Sequence, residues 1–379
     1  MADRARIGVV GAGTITQSVH LPVITRLGGV LELRAVHDLS AARTAEVAAA
    51  YGARPCGSIE EVLTAPDVDA VLIATPGSHP GPARAALLAG KHVLAEKPLC
   101  LTVAEADELA ALAERTGLVL QVGYMKMWDP AVRITADELA GLGAPVAVHV
   151  TVLHPADAAQ VGHLRMAAHT DVDPTVVDAA RATDLAAAAR AVGDEPELAR
   201  WYANVLNGSV VHELSVLRAL GIALPARFAS CDVWTGVEGE PPSVVATAHA
   251  GATRLTLTWL WVPRHPGYEE EITIVTRDGQ VRIDVAPPYL VDATSTVQVR
   301  SSADDGAARR STRIRDGSAS GFLAQWEGFA RAITGDGGPT VAGADAAGVA
   351  ADLRCLQALA ARAAAERGWA LGGEAAAAR

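Results

Sequence analysis

The sequence predicts an α/β protein in two parts. A doubly wound parallel sheet over residues 1–123 is followed by an α/β domain over 124–379 with a large, mostly antiparallel sheet. Three observations predict this. Short apolar, β-branched runs alternate with helical stretches from Arg6 to Val122. A glycine turn, Gly11-Ala12-Gly13, follows the first run, and an acid, Asp38, follows the second. From Phe228 to Val299 the pattern changes to strand-like alternation with short turns.

Ile7, Val9 and Val10 suit a strand buried on both faces. Thr14 to Leu27 has helical spacing, Leu31 to Val36 reads as a second strand, and Asp38 lies just past its end. This order has a specific physical use. Gly11 permits a tight turn, and Gly13 lets a pyrophosphate approach the backbone because no Cβ stands in the way. Thr14 and Ile15 open a helix whose N–H groups and dipole face the phosphates. Asp38 can accept hydrogen bonds from both ribose hydroxyls and would repel a 2′-phosphate, which selects NAD over NADP. The fingerprint G-x-G-x-x-G has Thr16 at its third position. A small β-branched residue is tolerated there with a slightly larger helix–strand gap. The pattern is that of a Rossmann dinucleotide-binding domain.

The alternation continues with helices over Ala41 to Tyr51 and Ile59 to Leu63 and a strand over Ala70 to Ile73. A loop, Thr75 to His79, precedes a helix over Pro82 to Ala89. The strand His92 to Ala95 ends in Glu96-Lys97-Pro98, and a helix over Val103 to Thr116 leads to a strand over Val119 to Val122. Ligands of such sheets lie beyond the carboxyl ends of the strands. Gly11, Gly13, Asp38, Thr75, Pro76, His79, Glu96 and Lys97 all fall there.

In the second part, Pro145 to Leu153 reads as a strand and is followed by an alanine-rich helical insertion at about 154–206. Asp173-Pro174 and Glu195-Pro196 are helix starts, with Pro at the first helical position. A break at Asn207-Gly208-Ser209 precedes a helix carrying His212. Strands follow at Val244 to His249, Arg254 to Trp261, Glu271 to Val275, Gln280 to Val285 and Thr294 to Val299. Residues 301–320 read as a polar loop, Leu323 to Thr334 and Ala344 to Glu366 as closing helices, and Gly372 to Arg379 as a frayed end.

A net charge of −11 argues against nucleic acid as a partner. Cys56, Cys100, Cys231 and Cys355 are far apart and read as free thiols in a reducing compartment. His154, His163 and His169 lack metal-ligand spacing, so no metal is expected. The N-terminus, MADRARIGVV, has no signal-peptide core, and no apolar run is long enough to cross a bilayer. A cytoplasmic protein with no membrane contact is expected.

Five motifs resemble the Gfo/Idh/MocA family of nicotinamide-dependent oxidoreductases: Gly11 to Ile24, Ala74 to His79, Ala95 to Leu99, Gln121 to Ala131, and Val210 to Arg218. The resemblance implies an NAD(P)-dependent enzyme acting on CH–OH groups of sugars, aminosugars or cyclitols. It implies that Lys97 lies beside the nicotinamide and bonds the reacting hydroxyl. Glu96 would help hold the nicotinamide ribose, and Thr75 to His79 would line the cofactor. The antiparallel sheet would bind substrate and use an open face to form a dimer or tetramer. The family's catalytic helix has an aspartate four residues before its histidine. His212 matches the histidine, but Gly208 stands where the aspartate would be, and Glu213 follows.

Oxidising a secondary alcohol needs a base for the hydroxyl proton and a cation for the developing alkoxide. Lys97 can supply the cation, and Lys97 or His212 the base. Lys126 and Trp128 follow the last parallel strand and are expected to meet substrate, as is Tyr124. His154 could bind substrate hydroxyls. Trp259 and Trp261 share one strand face and read as sheet core or subunit interface, and His20 lies one to two turns into the first helix. Two other readings stay open. One is redox-neutral chemistry with retained NAD, through a transient keto intermediate. The other is a non-catalytic nucleotide-dependent regulator.

Overall fold

In the computed structural model, residues 4–302, 310–316, 319–335 and 343–378 are described. They divide into two compact units: 1–124, 164–187 and 325–350 form the first, and 125–163, 188–324 and 351–379 the second.

The first unit carries β1 (Ala5–Val10), α1 (Leu21–Arg26), β2 (Leu31–His37), α2 (Ala41–Tyr51), β3 (Arg54–Pro55) and α3 (Ile59–Leu63). It continues through β4 (Ala70–Ile73), α4 (Pro80–Leu88), β5 (His92–Ala95), α5 (Val103–Thr116) and β6 (Leu120–Val122). The six strands pair in parallel in the order β3-β2-β1-β4-β5-β6. Strand order reverses beside β1, which makes that edge the switch point where ligands of such sheets bind. Ile7, Val9, Leu72, Ile73, Val93 and Leu94 are fully buried, as strands covered on both faces require. Ser40 caps α2 by accepting from the Arg43 amide, and Thr102 caps α5 by accepting from the Glu105 amide.

The expected first helix is interrupted. A π-helical turn spans Thr16–His20 before α1. Two features of the sequence account for it. The Thr16 hydroxyl donates to the Gly11 carbonyl at 2.7 Å, and Pro22 brings no N–H to the first turn of α1.

The second unit begins with α6 (Met125–Trp128), α7 (Pro130–Leu142), β7 (Ala147–His154) and α8 (Asp157–Val161). Helix α9 (Pro174–Val192) starts within the first unit's residues and ends in the second's. Next come α10 (Pro196–Trp201), a π-helical stretch over Tyr202–Val210, and α11 (Val211–Ala219). The expected break at Asn207-Gly208-Ser209 is therefore absent. The chain stays helical with a widened turn, and the Asn207 side chain donates to the Tyr202 carbonyl five residues back at 2.9 Å.

The strands β8 (Phe228–Trp234), β9 (Ser243–Ala250), β10 (Thr253–Trp261), β11 (Glu269–Val275), β12 (Gly279–Asp284), β13 (Thr296–Ser302) and β14 (Arg310–Asp316) complete the second sheet with β7. Its order is β14-β13-β12-β11-β7-β10-β9-β8. Pairing is antiparallel except between β7 and β10, which run parallel. A parallel pair requires a long crossover, and residues 155–252, with α8 to α11 and two further strands, supply it. Strand β14 occupies part of the expected 301–320 loop. It is an edge strand, where an alternating apolar face is not needed.

One face of this sheet is buried through Val148, Val150, Leu255, Leu257, Trp259, Ile272, Ile274, Val281 and Ile283. The other carries the more exposed Thr151, Thr256, Thr258, Glu271 and Arg282. Helices α12 (Gly321–Thr334), α13 (Ala346–Arg367) and α14 (Gly373–Ala377) close the chain. Helix α14 replaces the expected frayed end. It is tied down by the Gln357 side chain donating to Glu374 at 2.6 Å and by the Gly372 amide donating to the Val192 carbonyl at 2.9 Å. No helix among the described residues is long and apolar enough to cross a membrane.

Candidate functional site

Strand register sets the first half of the site. His37 pairs with Val10, Val10 with Ile73, Ile73 with Ala95, and Ala95 with Val122. The next residue of each strand therefore falls in one row along the carboxyl edge: Asp38, Gly11, Ala74, Glu96 and Gly123. Gly11 has φ +94, and a Cβ there would stand 2.5 Å from the Ala74 carbonyl oxygen. Only glycine fits that crossing. A Cβ on Gly123 would stand 2.9 Å from the Glu96 carboxyl, so glycine there makes room for the acid.

Asp38 is anchored in this row. One carboxylate oxygen accepts from the Ala12 amide at 2.8 Å, and the other accepts from the Ser40 amide at 2.9 Å and from Arg43 at 3.1 Å. Around Gly13 a Cβ would find nothing within 4 Å. The backbone there is open to a close-approaching group, and with the Asp38 carboxylate beside the turn this fits a dinucleotide: pyrophosphate at Gly13, ribose at Asp38.

Glu96 is buried under the same edge. Trp326 Nε1, which can only donate, donates to His20 Nδ1 at 3.0 Å. That leaves His20 Nε2 as the donor to Glu96 at 3.0 Å. The Lys97 amide donates to the other Glu96 oxygen at 3.1 Å. Burial opposes ionisation of Glu96, but the His20 bond and the nearby Lys97 charge hold its pKa below the usual carboxylate range. Glu96 is therefore an anion at neutral pH. Lys97 follows it, half-buried, before a cis peptide bond to Pro98. His79, itself buried, bridges the Pro98 and Thr75 carbonyls at 2.9 and 2.8 Å and so clamps the Thr75–His79 loop to the Glu96–Pro98 loop.

The second unit holds a buried charge cluster. Lys126 on α6 donates to Glu213 on α11 at 3.1 Å, to the Tyr268 hydroxyl at 3.1 Å and to Glu270 on β11. Tyr268 donates to the same Glu270 oxygen at 2.6 Å. One oxygen each of Glu213 and Glu270 is buried without a partner among the described residues. Burial would strip the proton from Lys126, but Glu270, Tyr268 and Glu213 outweigh it and hold its pKa well above the ordinary value. Burial pushes the Glu213 carboxyl up to about 8; Lys126 opposes that shift and Glu270 adds to it. Two carboxylates around one ammonium thus hold a proton near neutral pH.

Next to this cluster the His154 ring stacks on Trp261 at 5.5 Å, lies tilted to Trp259 at 5.3 Å and meets the edge of Tyr268 at 5.7 Å. Trp259 donates to the Ser209 hydroxyl at 2.9 Å, which ties the π-helical stretch to β10. His212, neighbour to Glu213, is buried on α11. No group of metal-ligating side chains occurs among the described residues.

The Glu213 shift has a measurable consequence. The unfolded carboxyl titrates near 4.5 and the folded one near 8, so between those values the folded protein holds a proton that the unfolded chain has lost. The stability from this group is complete below about pH 4.5 and is lost as pH rises through about 8. Glu213→Gln removes that dependence. The unfolding free energy of the variant relative to the native protein is expected to improve between about pH 5 and about pH 8, by at most about 1.4 kcal/mol per pH unit. Denaturant titrations of both proteins at several pH values test this; a constant difference contradicts it. Asp129, whose own carboxyl is raised by burial, is present in both and cancels.

Comparison with known proteins adds to this geometry. Residues 5–124 match the GFO_IDH_MocA family model, described as an oxidoreductase family with an NAD-binding Rossmann fold. This part of the chain is therefore similar to the NAD-binding domain of that oxidoreductase family. Inositol 2-dehydrogenase 3 of Saccharopolyspora erythraea is 36% identical over 159 residues, which are 40% of this chain and 45% of that protein. UDP-N-acetylglucosamine 3-dehydrogenase of Acidithiobacillus ferrooxidans is 39% identical over 141 residues, 37% of this chain and 42% of the relative. In sequence, then, the chain spans less than half the length of these relatives. In structure, the Acidithiobacillus protein matches 96% of this chain and 99% of its own with a TM-score of 0.68 at 23% identity. A 3-ketoreductase of Actinomadura kijaniata, solved in complex with NADP, matches 95% and 96% with a TM-score of 0.63 at 19% identity. These two likenesses concern the fold.

On the parallel sheet the structure brings Gly11, Asp38, Glu96 and Lys97 to one edge, with Gly13, Thr14 and Ile15 in the turn and helix start after β1 and Thr75, Pro76 and His79 in the loop after β4. It places Lys126, His154 and His212 in the second unit, the first two joined through Tyr268. Trp128 and Tyr124 are buried. Sequence reading passed over Glu270, Tyr268 and the His20–Trp326 pair. Glu270 carried a signal: it shares the inward parity of Ile272 and Ile274, where an acid is out of place unless it is partnered. Trp326 lies 306 residues from His20, and no local pattern could link them.

Proposed function

We propose that the chain is an NAD-dependent oxidoreductase that moves a hydride between nicotinamide and a ring carbon of a sugar, aminosugar or cyclitol. The row Asp38, Gly11, Ala74, Glu96 and Gly123 carries the reading, because it sets a ribose-binding acid, a phosphate-binding turn and Lys97 on a single sheet edge. The nicotinamide supplies the hydride acceptor or donor. Lys97 presents its ammonium to the alcohol oxygen, steadies negative charge there and takes part in moving its proton. His212 is the second proton-handling group. The buried anion Glu96, held by His20, fixes the backbone from which Lys97 projects. Glu96, Thr75, Pro76 and His79 line the nicotinamide side, and Gly11, Gly13, Thr14, Ile15 and Asp38 hold pyrophosphate and adenosine ribose. Tyr124, Lys126, Trp128, His154 and His212 shape the substrate side. The names of the relatives, an inositol and an aminosugar-nucleotide dehydrogenase, support the substrate class.

In this reading residues 1–123 bind cofactor, and 124–379 bind substrate and form a homo-oligomer through the exposed sheet face. Four free, buried cysteines fit a reducing cytoplasm. Asp38→Ala is expected to weaken NADH binding and to narrow its margin over NADPH by about tenfold or more, as read in fluorescence titrations. An unchanged margin contradicts the role of Asp38.

The test of the activity is a panel of sugars, aminosugars and cyclitols. Reduced-nicotinamide absorbance is followed with NAD and NADP in parallel, with mass spectrometry of the products. Net reduced cofactor with one substrate class supports the proposal. A second reading, redox-neutral catalysis on retained NAD, is favoured by the pinning of Ser40 and Ser78, on two nucleotide-side loops, by carboxylates of 164–187. It is marked by a changed product without net reduced cofactor. No binding of either dinucleotide refutes both.

A further inference from the structure

Residues 164–187 group with the first unit and touch it at three places. Asp171 takes the Ser40 hydroxyl at 2.6 Å and the Ala42 amide at 3.0 Å. His169 Nε2 meets Glu46 on α2 at 3.2 Å. Asp184 accepts from the Ser78 hydroxyl at 2.6 Å and crowds the position a Cβ on Gly77 would take. Few apolar contacts assist, since most side chains from Asp173 to Ala186 are exposed, Val176 and Leu185 among them. Polar contacts at the nucleotide loops therefore do much of the anchoring of this strap.

The place where Asp171 lands is specific. Asp38 is the ribose acid, and the segment after it, Ser40 to Arg43, turns into α2. A phosphate on the ribose 2′-oxygen would extend beyond Asp38 onto this segment, where the donors are the Ser40 hydroxyl, the amides opening α2 and the Arg43 guanidinium. Asp171 already holds the hydroxyl and the Ala42 amide, and Asp38 already holds Arg43. The Ala42 and Ser40 bonds keep the Asp171 carboxyl below its usual range, so it is an anion at neutral pH. With Glu46 nearby, a dianionic phosphate would meet three carboxylates and donors already in use.

We infer that Asp171, carried by the 164–187 strap, is a second determinant of cofactor choice: it occupies the 2′-phosphate position and excludes NADP. The inference rests on the nucleotide reading of the first unit and adds to Asp38 a residue from a distant part of the chain. The two acids act differently. Asp38 binds the free ribose hydroxyls of NADH, so its loss weakens NADH. Asp171 binds neither, so its loss improves NADPH and leaves NADH nearly unchanged.

The test uses the full chain and titrates NADH and NADPH by fluorescence against the native protein, Asp171→Ala and Asp171→Asn. Asp171→Ala is expected to tighten NADPH about tenfold or more, with NADH within about twofold. Asp171→Asn, which keeps an acceptor but loses the charge, is expected to fall between. Unimpaired NADH binding shows that each variant is folded. NADPH affinity unchanged in Asp171→Ala, while the native protein binds NADH, overturns the role of Asp171 alone. A native protein that binds neither dinucleotide, or prefers NADPH, overturns the inference together with the reading beneath it.

Discussion

Lys97→Ala is expected to lower turnover by about a thousandfold while dinucleotide affinity changes by less than about threefold. The asymmetry follows from where the side chain sits. The main chain of Lys97 is fixed by the hydrogen bond its amide donates to the Glu96 carboxylate, which the substitution leaves intact, and Glu96 is itself held by His20, which Trp326 orients. The row proposed to hold the cofactor is thus undisturbed. What is lost is an ammonium group whose interaction with the substrate oxygen strengthens as negative charge develops there, which lowers the rate and leaves ground-state cofactor binding alone. Lys97→Arg restores the charge with a group that does not release its proton, and is expected to recover only a small part of the rate. Steady-state rates and cofactor titrations on the same preparations measure both effects. Turnover of Lys97→Ala within about tenfold of the native enzyme contradicts the assignment.

The largest stability effect is expected in the second unit. Lys126→Met should cost about 3–5 kcal/mol, because it leaves the buried Glu270 beside Glu213 with no cation to pair with. The remaining donor is the Tyr268 hydroxyl, already bound to Glu270. Adding Glu213→Gln to Lys126→Met removes a carboxyl that must take up a proton on folding, and is expected to restore part of the stability at about pH 8. The two changes are thus non-additive, as expected of groups in one network. Denaturant unfolding followed by tryptophan fluorescence measures this. A Lys126→Met variant within about 1 kcal/mol of the native protein would mean that the cluster is solvated or already neutral.

What was legible in the sequence is what short-range pattern encodes. The turn at Gly11, the acid at Asp38 and the lysine after β5 each sit at a fixed offset from a strand end, and strand ends can be read from apolar runs. The two sheets were legible for the same reason. The π-helical turns were not, because they depend on single side-chain bonds such as Thr16 to Gly11 and Asn207 to Tyr202. The parallel pairing of β7 with β10 was hidden too, since alternation gives the face of a strand and not its neighbour. Asp171 and Asp184 meet partners 131 and 106 residues away, so in the sequence they are ordinary acids of an alanine-rich helical region.

The central claim is hydride transfer between nicotinamide and a ring carbon, and isotope tracing tests it most directly. A substrate found in the panel is prepared with deuterium at the reacting carbon and incubated with enzyme and NAD, and the cofactor is then analysed by mass spectrometry. The expected result is one deuterium in the reduced cofactor for each substrate oxidised, with Lys97→Ala slowing its arrival about a thousandfold. Substrate consumed with the deuterium released to water and the cofactor unlabelled would contradict the account.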